Sequence, residues 1–414
     1  MTDRGGPAGP VHPSAAGHLL HLIRTGQART RRELLDTTGL SRSTVAARLD
    51  QLVSLGYVRE VGVETGSRGR PSSLLAFDEA HGVVLAADLG ATHARAALCD
   101  LGGRTLREVA QQLRIAEGPD AVLGWLESRW RDLLEASGHD RDRVVGLGVG
   151  VPGPVDFTLG RPIRPPIMPG WHDYAVRDRL EQAFGVPGFV ENDANVMALG
   201  EFHVALPGCP SLLFVKVATG IGAGMVVDGR LVRGATGGSG DIGHVKLADP
   251  ESRPVCACGA RGCLAGSASG GALARRLREQ GFSVETSRDV ADLAQDGEPQ
   301  AIELIREAGL LLGDVLATAV SLLNPAVLMV GGDLVRAQEH FMGGLRERLH
   351  QRTQPLATRD LQILTSTLGD RAGVIGAASL VIEEVFSAEA VDRRLSGHPP
   401  MIKMPAVTGA VGPV

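Results

Sequence analysis

Cys256, Cys258 and Cys263 form a C-x-C-x4-C cluster, with His244 twelve positions upstream of the first and glycines at 259 and 262 to allow a tight loop. Thiolate and imidazole donors without a carboxylate suit a closed, tetrahedral, structural zinc site. Three free thiols buried separately is the alternative, and the spacing is too tight for it. Cys99 and Cys209 are isolated and read as core. A second constellation is Glu191-Asn192-Asp193-Ala194-Asn195, where an apolar run meets a helical one. A carboxylate at such a junction, here Asp193, can take a proton from a substrate hydroxyl as a general base. Asp and Asn also favour helix N-caps, and for these residues alone the cap is the preferred reading. Two glycine-opened turns complete the set, one with Asp88, Gly90 and Thr92, the other with Thr219, Gly220 and Gly222. Such turns present backbone N–H groups to phosphate, the threonines add hydroxyls, and Asp88 can hold Mg²⁺ through water. Each alone is only a tight hairpin. Facing each other across a cleft, the two make a phosphate clamp.

These groups need strands and helices to hold them. From residue 82 the chain alternates the two. VVLAADLG, RAALCDL and REVAQQL read as a three-strand meander, followed by a helix over 119–137 and the buried strand VVGLGVGV. LLFVKVATG, AGMVVDG and RLVRG start a second meander, which leads to helices, the strand AVLMVGG and the strand LQILTS. The repeated glycine hairpin is a faint internal duplication, so the spacing predicts two α/β lobes built on one plan. The first spans 82–195 and the second, with the zinc loop, 196–371. A last helix over 372–386 packs back on the first lobe.

Residues 14–80 have a different texture. Leu19, Leu20, Leu22 and Ile23 give one helix; Thr30 caps a second that stops at Gly39; Ser41 caps a third that runs to Gly56. Two strand-like runs, VREVGV and SSLLAF, then flank a turn-rich segment. Three helices and a hairpin make a winged helix-turn-helix. Its third helix offers Ser41, Arg42, Ser43, Thr44 and Arg48 where a recognition helix meets bases and phosphates. Thr30, Arg31 and Arg32 are placed for backbone phosphate, and Arg68 and Arg70 alternate with glycine at the wing tip. A small helical bundle with a solvated arginine loop is the plainer reading, and the conjunction of turn, polar helix face and wing favours DNA. The ends, 1–13 and 388–414, read as flexible tails.

The net charge of -5 announces no general affinity for nucleic acid, and arginines gather in the first 80 residues. Lysine occurs only at Lys216, Lys246 and Lys403, a bias that reads as genomic. No run of eighteen apolar residues exists, which excludes a helical membrane span. The N-terminus has no apolar signal region and the cysteines make no disulfide framework, so a cytoplasmic address is expected.

Taken in order, DLGATHAR, GVPGPVD (150–156), MPGW (168–171), ENDAN, TGIGAG, GDIGH (240–244), CACGARGC and NPAVLMVGG resemble the ROK family (repressor, open reading frame, kinase). The resemblance runs over residues 14–386. It implies a two-lobed actin/hexokinase-like, ribonuclease H-like ATPase fold, here with an N-terminal winged helix-turn-helix similar to that of xylose-type repressors. It puts Asp193 on the catalytic base, and Asp88, Gly90, Thr92, Thr219, Gly220 and Gly222 on the phosphates of ATP with Mg²⁺. Asn192, Asp193, Asp241 and His244 fall on the effector pocket, with His244 also a zinc ligand. The family's sugar kinases carry Asn at the position of Ile167 and Glu at those of Asp241 and Ala265. Three hydroxyl-reading side chains are thus lost or shortened, which implies an effector other than a plain hexose, or a retired pocket.

The expectation is a transcriptional repressor that binds double-stranded operator DNA and senses a sugar or sugar derivative. Two half-sites need two recognition helices, so a homodimer or a tetramer of dimers is expected. The alternatives are an ATP-dependent sugar kinase with an appended DNA-binding module, and a ligand-blind DNA binder whose α/β part only oligomerises.

Overall fold

The computed structural model describes residues 15–64 and 72–397. Helices α1 (Ala16–Arg24), α2 (Arg31–Thr38) and α3 (Arg42–Ser54) precede the antiparallel pair β1 (Val58–Glu64) and β2 (Ser72–Phe77). A capping box between Thr30 and Glu33 starts α2, and Gly39 ends it in the left-handed conformation. Leu19, Leu20, Leu34, Val45, Leu49 and Leu52 are fully or nearly fully buried in a shared core. Arg68 and Arg70 lie outside the described residues, as do 1–13 and 398–414.

The first α/β unit comprises β3 (Val83–Leu89), β4 (His93–Asp100), β5 (Thr105–Gln112), α4 (Pro119–Ser137), β6 (Val144–Val151), a short hairpin of β7 (Val155–Asp156) and β8 (Arg161–Pro162), α5 (Val176–Phe184) and β9 (Gly188–Asn192). Its sheet has the order β5-β4-β3-β6-β9. Every residue of β3 is buried, as an apolar run covered on both faces requires, whereas β5 lies at the edge and is largely exposed. After α6 (Asp193–Ala205) the second unit runs through β10 (Ser211–Val217), β11 (Ile221–Val227), β12 (Arg230–Leu231), α7 (Leu264–Ala268), α8 (Gly270–Glu279), α9 (Ser287–Gln295), α10 (Pro299–Leu323), β13 (Val327–Gly331), α11 (Gln338–Arg352), α12 (Pro355–Thr358) and β14 (Gln362–Thr365). Its order, β12-β11-β10-β13-β14, repeats the first. In both sheets the meander pairs antiparallel and the last two strands add in parallel.

The units exchange helices. α6 leaves the last strand of the first sheet and packs on β10 and β11 of the second. Helix α13 (Ala372–Val385) leaves the second sheet and packs on β3 and β6 of the first, as expected for 372–386. The boundary expected at 195 therefore falls inside α6, whose first turn belongs to the cleft between the sheets.

The expected tail from 388 needs correction. Ser387 caps α14 (Ala388–Leu395), which packs on α1. The Gly17 N–H donates to Asp392 Oδ1 at 2.9 Å, and Arg394 bonds the Tyr57 hydroxyl. A Cβ on Gly17 would stand 2.1 Å from the Ala388 carbonyl oxygen, so only glycine permits this approach. Phe386 meets the rings of Tyr57 and Phe77 edge-on, with centroids 5.2 and 5.1 Å away. Thus α13 and α14 join the N-terminal three-helix fold to the first sheet. Among the described residues no helix is long and apolar enough to cross a membrane.

Candidate functional site

A cavity of about 440 Å³ opens between the two sheets. Strand β9 ends at Asn192, which caps α6: its Oδ1 accepts from the Ala194 and Asn195 N–H groups at 3.0 and 3.3 Å. Its Nδ2 donates to the Gly153 carbonyl at 2.9 Å. Asp193, the first residue of α6, turns its carboxylate to the cavity and receives the Lys216 ammonium at 2.6 Å. The cap and the candidate base are thus adjacent residues, Asn192 capping the helix and Asp193 meeting Lys216. Glu191 and Asn195 are structural. The Glu191 carboxylate accepts from Asn195 Nδ2 at 2.9 Å and from Arg233 Nε at 2.7 Å.

Thr92, Thr219, Gly220 and Gly222 line the same cavity, so both turns do face it. Asp88 and Gly90 are not on its wall. Asp88 is buried behind the first turn, with His93 Nε2 3.7 Å from one oxygen and no hydrogen-bond partner for Oδ1. A Cβ on Gly373 of α13 would lie 2.4 Å from this carboxyl carbon, so α13 closes directly over Asp88. Burial pushes the Asp88 carboxyl up, but His93, Lys216 and Arg95 outweigh it and hold the pKa below the usual value. Burial likewise opposes the charge on Lys216, and Asp193 and Asp88 more than reverse that, raising its pKa.

Asn192, Asp193, Asp241 and His244 all reach the cavity, together with Ile167 and Ala265. Asp241 Oδ1 and His244 Nδ1 are 2.6 Å apart, and this bond raises the imidazole pKa despite partial burial. Donor atoms of His244, Cys256 and Cys258 lie within 4.8 Å of one another. Cys263 is outside that trio. Its Sγ is 3.7 Å from that of Cys258 and 3.3 Å from Lys246 Nζ. Burial pushes the Cys256 thiol up to about 11. Burial opposes ionisation of Cys258 too, but the Ala260 N–H, the neighbouring thiols and His244 hold its pKa below the usual value. The donors fit zinc in kind. Asp241 would orient the imidazole, leaving Nε2 for the metal.

On the N-terminal fold, Ser41, Arg42 and Ser43 are exposed at the start of α3, and Thr44 and Arg48 are half-buried. Ser41 caps the helix through the Thr44 N–H at 3.1 Å, and Arg48 donates to Gln51 Oε1 at 3.1 Å. Arg31 and Arg32 are exposed, with Glu60 at 3.3 Å and Asp36 at 3.7 Å. Thr30 is a correction. Only 3% exposed, it spends its hydroxyl on the Glu33 N–H, so its side chain is not available to phosphate.

Sequence reasoning missed Lys216, Arg275 and Asp333 on the cavity wall. The signal for Lys216 was present: it is one of three lysines in an arginine-rich chain.

A family profile described as ROK family matches residues 84–384. A xylose repressor from Bacillus spizizenii is 27% identical over 366 residues, covering 88% of this chain and 94% of that protein. A glucokinase from Thermotoga maritima is 31% identical over 321 residues, covering 73% of this chain and 98% of that protein. Among solved structures, a ROK family transcriptional regulator described as a homolog of the E. coli MLC protein has a TM-score of 0.79. It is 24% identical and covers 93% of this chain and 99% of its own.

Proposed function

The chain belongs to the ROK family, and from that premise we propose that it is a sequence-specific DNA-binding transcriptional repressor whose cleft senses a sugar-derived effector. The observation that carries this reading is the winged helix-turn-helix joined through α13 and α14 to the cleft. The similarity to the xylose repressor covers 88% of the chain, against 73% for the glucokinase, which supports a regulator over a kinase.

On this reading, Arg42, Ser43, Thr44 and Arg48 meet the major groove, Arg31 and Arg32 meet phosphate, and Arg68 and Arg70 serve the wing. Two copies of the chain engage two half-sites. His244, Cys256, Cys258 and Cys263 hold a structural zinc ion that braces the cavity wall. Lys246 then lies beside the Cys263 thiolate as a counter-charge. Effector binding favours a closed cleft over an open one. α13 contacts Asp88 near one end and leads into the Phe386–Tyr57 contact at the other, so closure biases the DNA-binding fold.

The kinase reading draws on Asp193 and the phosphate-binding turns. Phosphoryl transfer also needs an acceptor hydroxyl held in line with a free base. Here Lys216 occupies Asp193, and Ile167 and Ala265 offer no hydrogen bond. Sugar phosphorylation is expected to be negligible, with ATP a ligand at most. The test is footprinting on the chain's own genomic DNA, followed by transcription in vitro from the protected promoter. Protection of a two-fold symmetric site with reduced transcript supports the proposal. No protected site, with rapid phosphorylation of a hexose, pentose or amino sugar that Asp193→Asn abolishes, makes the protein a kinase.

A further inference from the structure

Arg233 lies just beyond β12, at the edge of the second sheet, where the Val232 N–H donates to the Met225 carbonyl at 2.8 Å. Its guanidinium grips the other unit. Nε donates to Glu191 Oε2 at 2.7 Å and Nη2 to Glu384 Oε1 at 3.3 Å, and the guanidinium carbon stands 3.7 Å from the centre of the Phe157 ring. Glu191 is buried on β9, and its second oxygen accepts from the Asn192 N–H and from Asn195 Nδ2, both at 2.9 Å. One carboxylate thus ties Arg233 to the residue that caps α6 at the cleft. The other, Glu384, sits on α13 two residues before Phe386, whose ring meets Tyr57 and Phe77 of the N-terminal fold. Among the described residues Arg233 is the only cation paired with either carboxylate. The chain beyond it, Gly237 to Gly240, lines the cavity, and a Cβ on Gly237 would stand 2.4 Å from the Val155 carbonyl oxygen of β7. A planar guanidinium with donors on separate edges holds two carboxylates in fixed relation, which a single ammonium cannot do. Motion of the second lobe against the first therefore carries Glu384 with it or leaves the buried Glu191 unpaired.

We propose that Arg233 is the residue that couples the cleft to the DNA-binding fold, by holding the cleft residue Glu191 and the α13 residue Glu384 in one guanidinium. A ligand that shifts the second lobe shifts Arg233, and Glu384 passes that shift to Phe386 and Tyr57. The inference rests on the reading of the protein as a DNA-binding regulator with a sensing cleft, and it names how that cleft is read. Arg233 is a positioning residue, in contact with neither DNA nor the cavity wall.

Amide hydrogen exchange of the full-length chain, with and without the footprinted operator duplex, tests it through reciprocity. If the cleft acts on the DNA-binding fold, bound DNA acts back on the cleft. In the parent, the duplex should change exchange over 188–197 by about fivefold or more. Arg233→Met keeps an alkyl stem against Phe157, and Arg233→Lys keeps the charge without the fork. Both should still prefer the operator to a scrambled duplex, yet lose the change over 188–197. If the Arg233 variants fail to fold, Glu384→Gln reads the same loss. A merely structural role for Arg233 would speed exchange over 188–197 equally with and without DNA and leave the difference intact. That result, or a parent whose 188–197 segment does not respond to bound operator, would overturn the proposal. A parent with no preference for the operator sinks the regulator reading itself, whereas specific binding with an unchanged response in the variants sinks only this inference.

Discussion

The two sheets share one strand plan, yet the matching position carries opposite charge. Asp88 is the sixth residue of β3 and Lys216 the sixth of β10. Each is aligned with a glycine of the parallel neighbour, Gly150 and Gly331. The first sheet holds its carboxylate behind the cavity wall with one oxygen unpartnered, whereas the second projects its ammonium onto Asp193. Duplication of a backbone thus fixes where a charged group stands, and a single side chain decides what it does there. One lobe keeps an anion in reserve. The other has placed a tethered cation where a free base would be needed.

Lys216→Ala should produce the largest effect. It leaves the buried Asp193 carboxylate without its ammonium partner, a loss of about 3–5 kcal/mol for a broken buried pair. Urea unfolding at neutral pH measures it, and a loss no greater than that of a surface substitution would remove Lys216 from the centre of the cleft. Next comes the cysteine loop, which the second lobe carries and the first lacks. Purified protein should hold about one zinc per chain. Cys258→Ser should abolish that and lower Tm by a few degrees, with faster hydrogen exchange over 241–266 and little change in the first sheet. Metal analysis without zinc in chelator-free protein would defeat the assignment.

Asp88→Asn should be milder, about 1 kcal/mol, because one carboxylate oxygen has no bond to lose. Its pH window sharpens the contrast. The Asp88 pKa is depressed from 3.8, so its contribution is present above that value and fades as pH falls through the folded pKa. The Lys216 pKa is raised from 10.5, so its contribution is present below that value and fades as pH rises through the folded pKa. Unfolding curves should therefore show Asp88→Asn converging on the parent in acid and Lys216→Met converging in base. The opposite limbs would refute the charge assignment.

Much of this arrangement was legible in the sequence because it follows local rules. Continuous apolar runs gave β3, β6 and β13, glycine-opened turns placed the two hairpins, and Gly39 with Ser41 marked the helix-turn-helix. What escaped depends on contacts distant in sequence. Helix α14 buries only Val391 along its length, and a helix of eight residues has little stability before α1 packs on it. Thr30 is a polar residue at a helix start, and only the bridge to Leu74 and the capping box show that it is buried. Asn192 and Asp193 look interchangeable in the sequence. What distinguishes them is contact with Lys216, which pairs with Asp193 from a strand of the other sheet.

The central claim, that the chain reads DNA sequence through α3, meets its most direct test in an anisotropy titration. The full-length protein and Arg42→Ala would each be titrated against the footprinted duplex and a scrambled one at fixed salt. The account predicts that the parent prefers its site by about a thousandfold or more, and that Arg42→Ala loses about 1–3 kcal/mol of that preference while its binding to the scrambled duplex changes little. Equal affinity of the parent for both duplexes would contradict it.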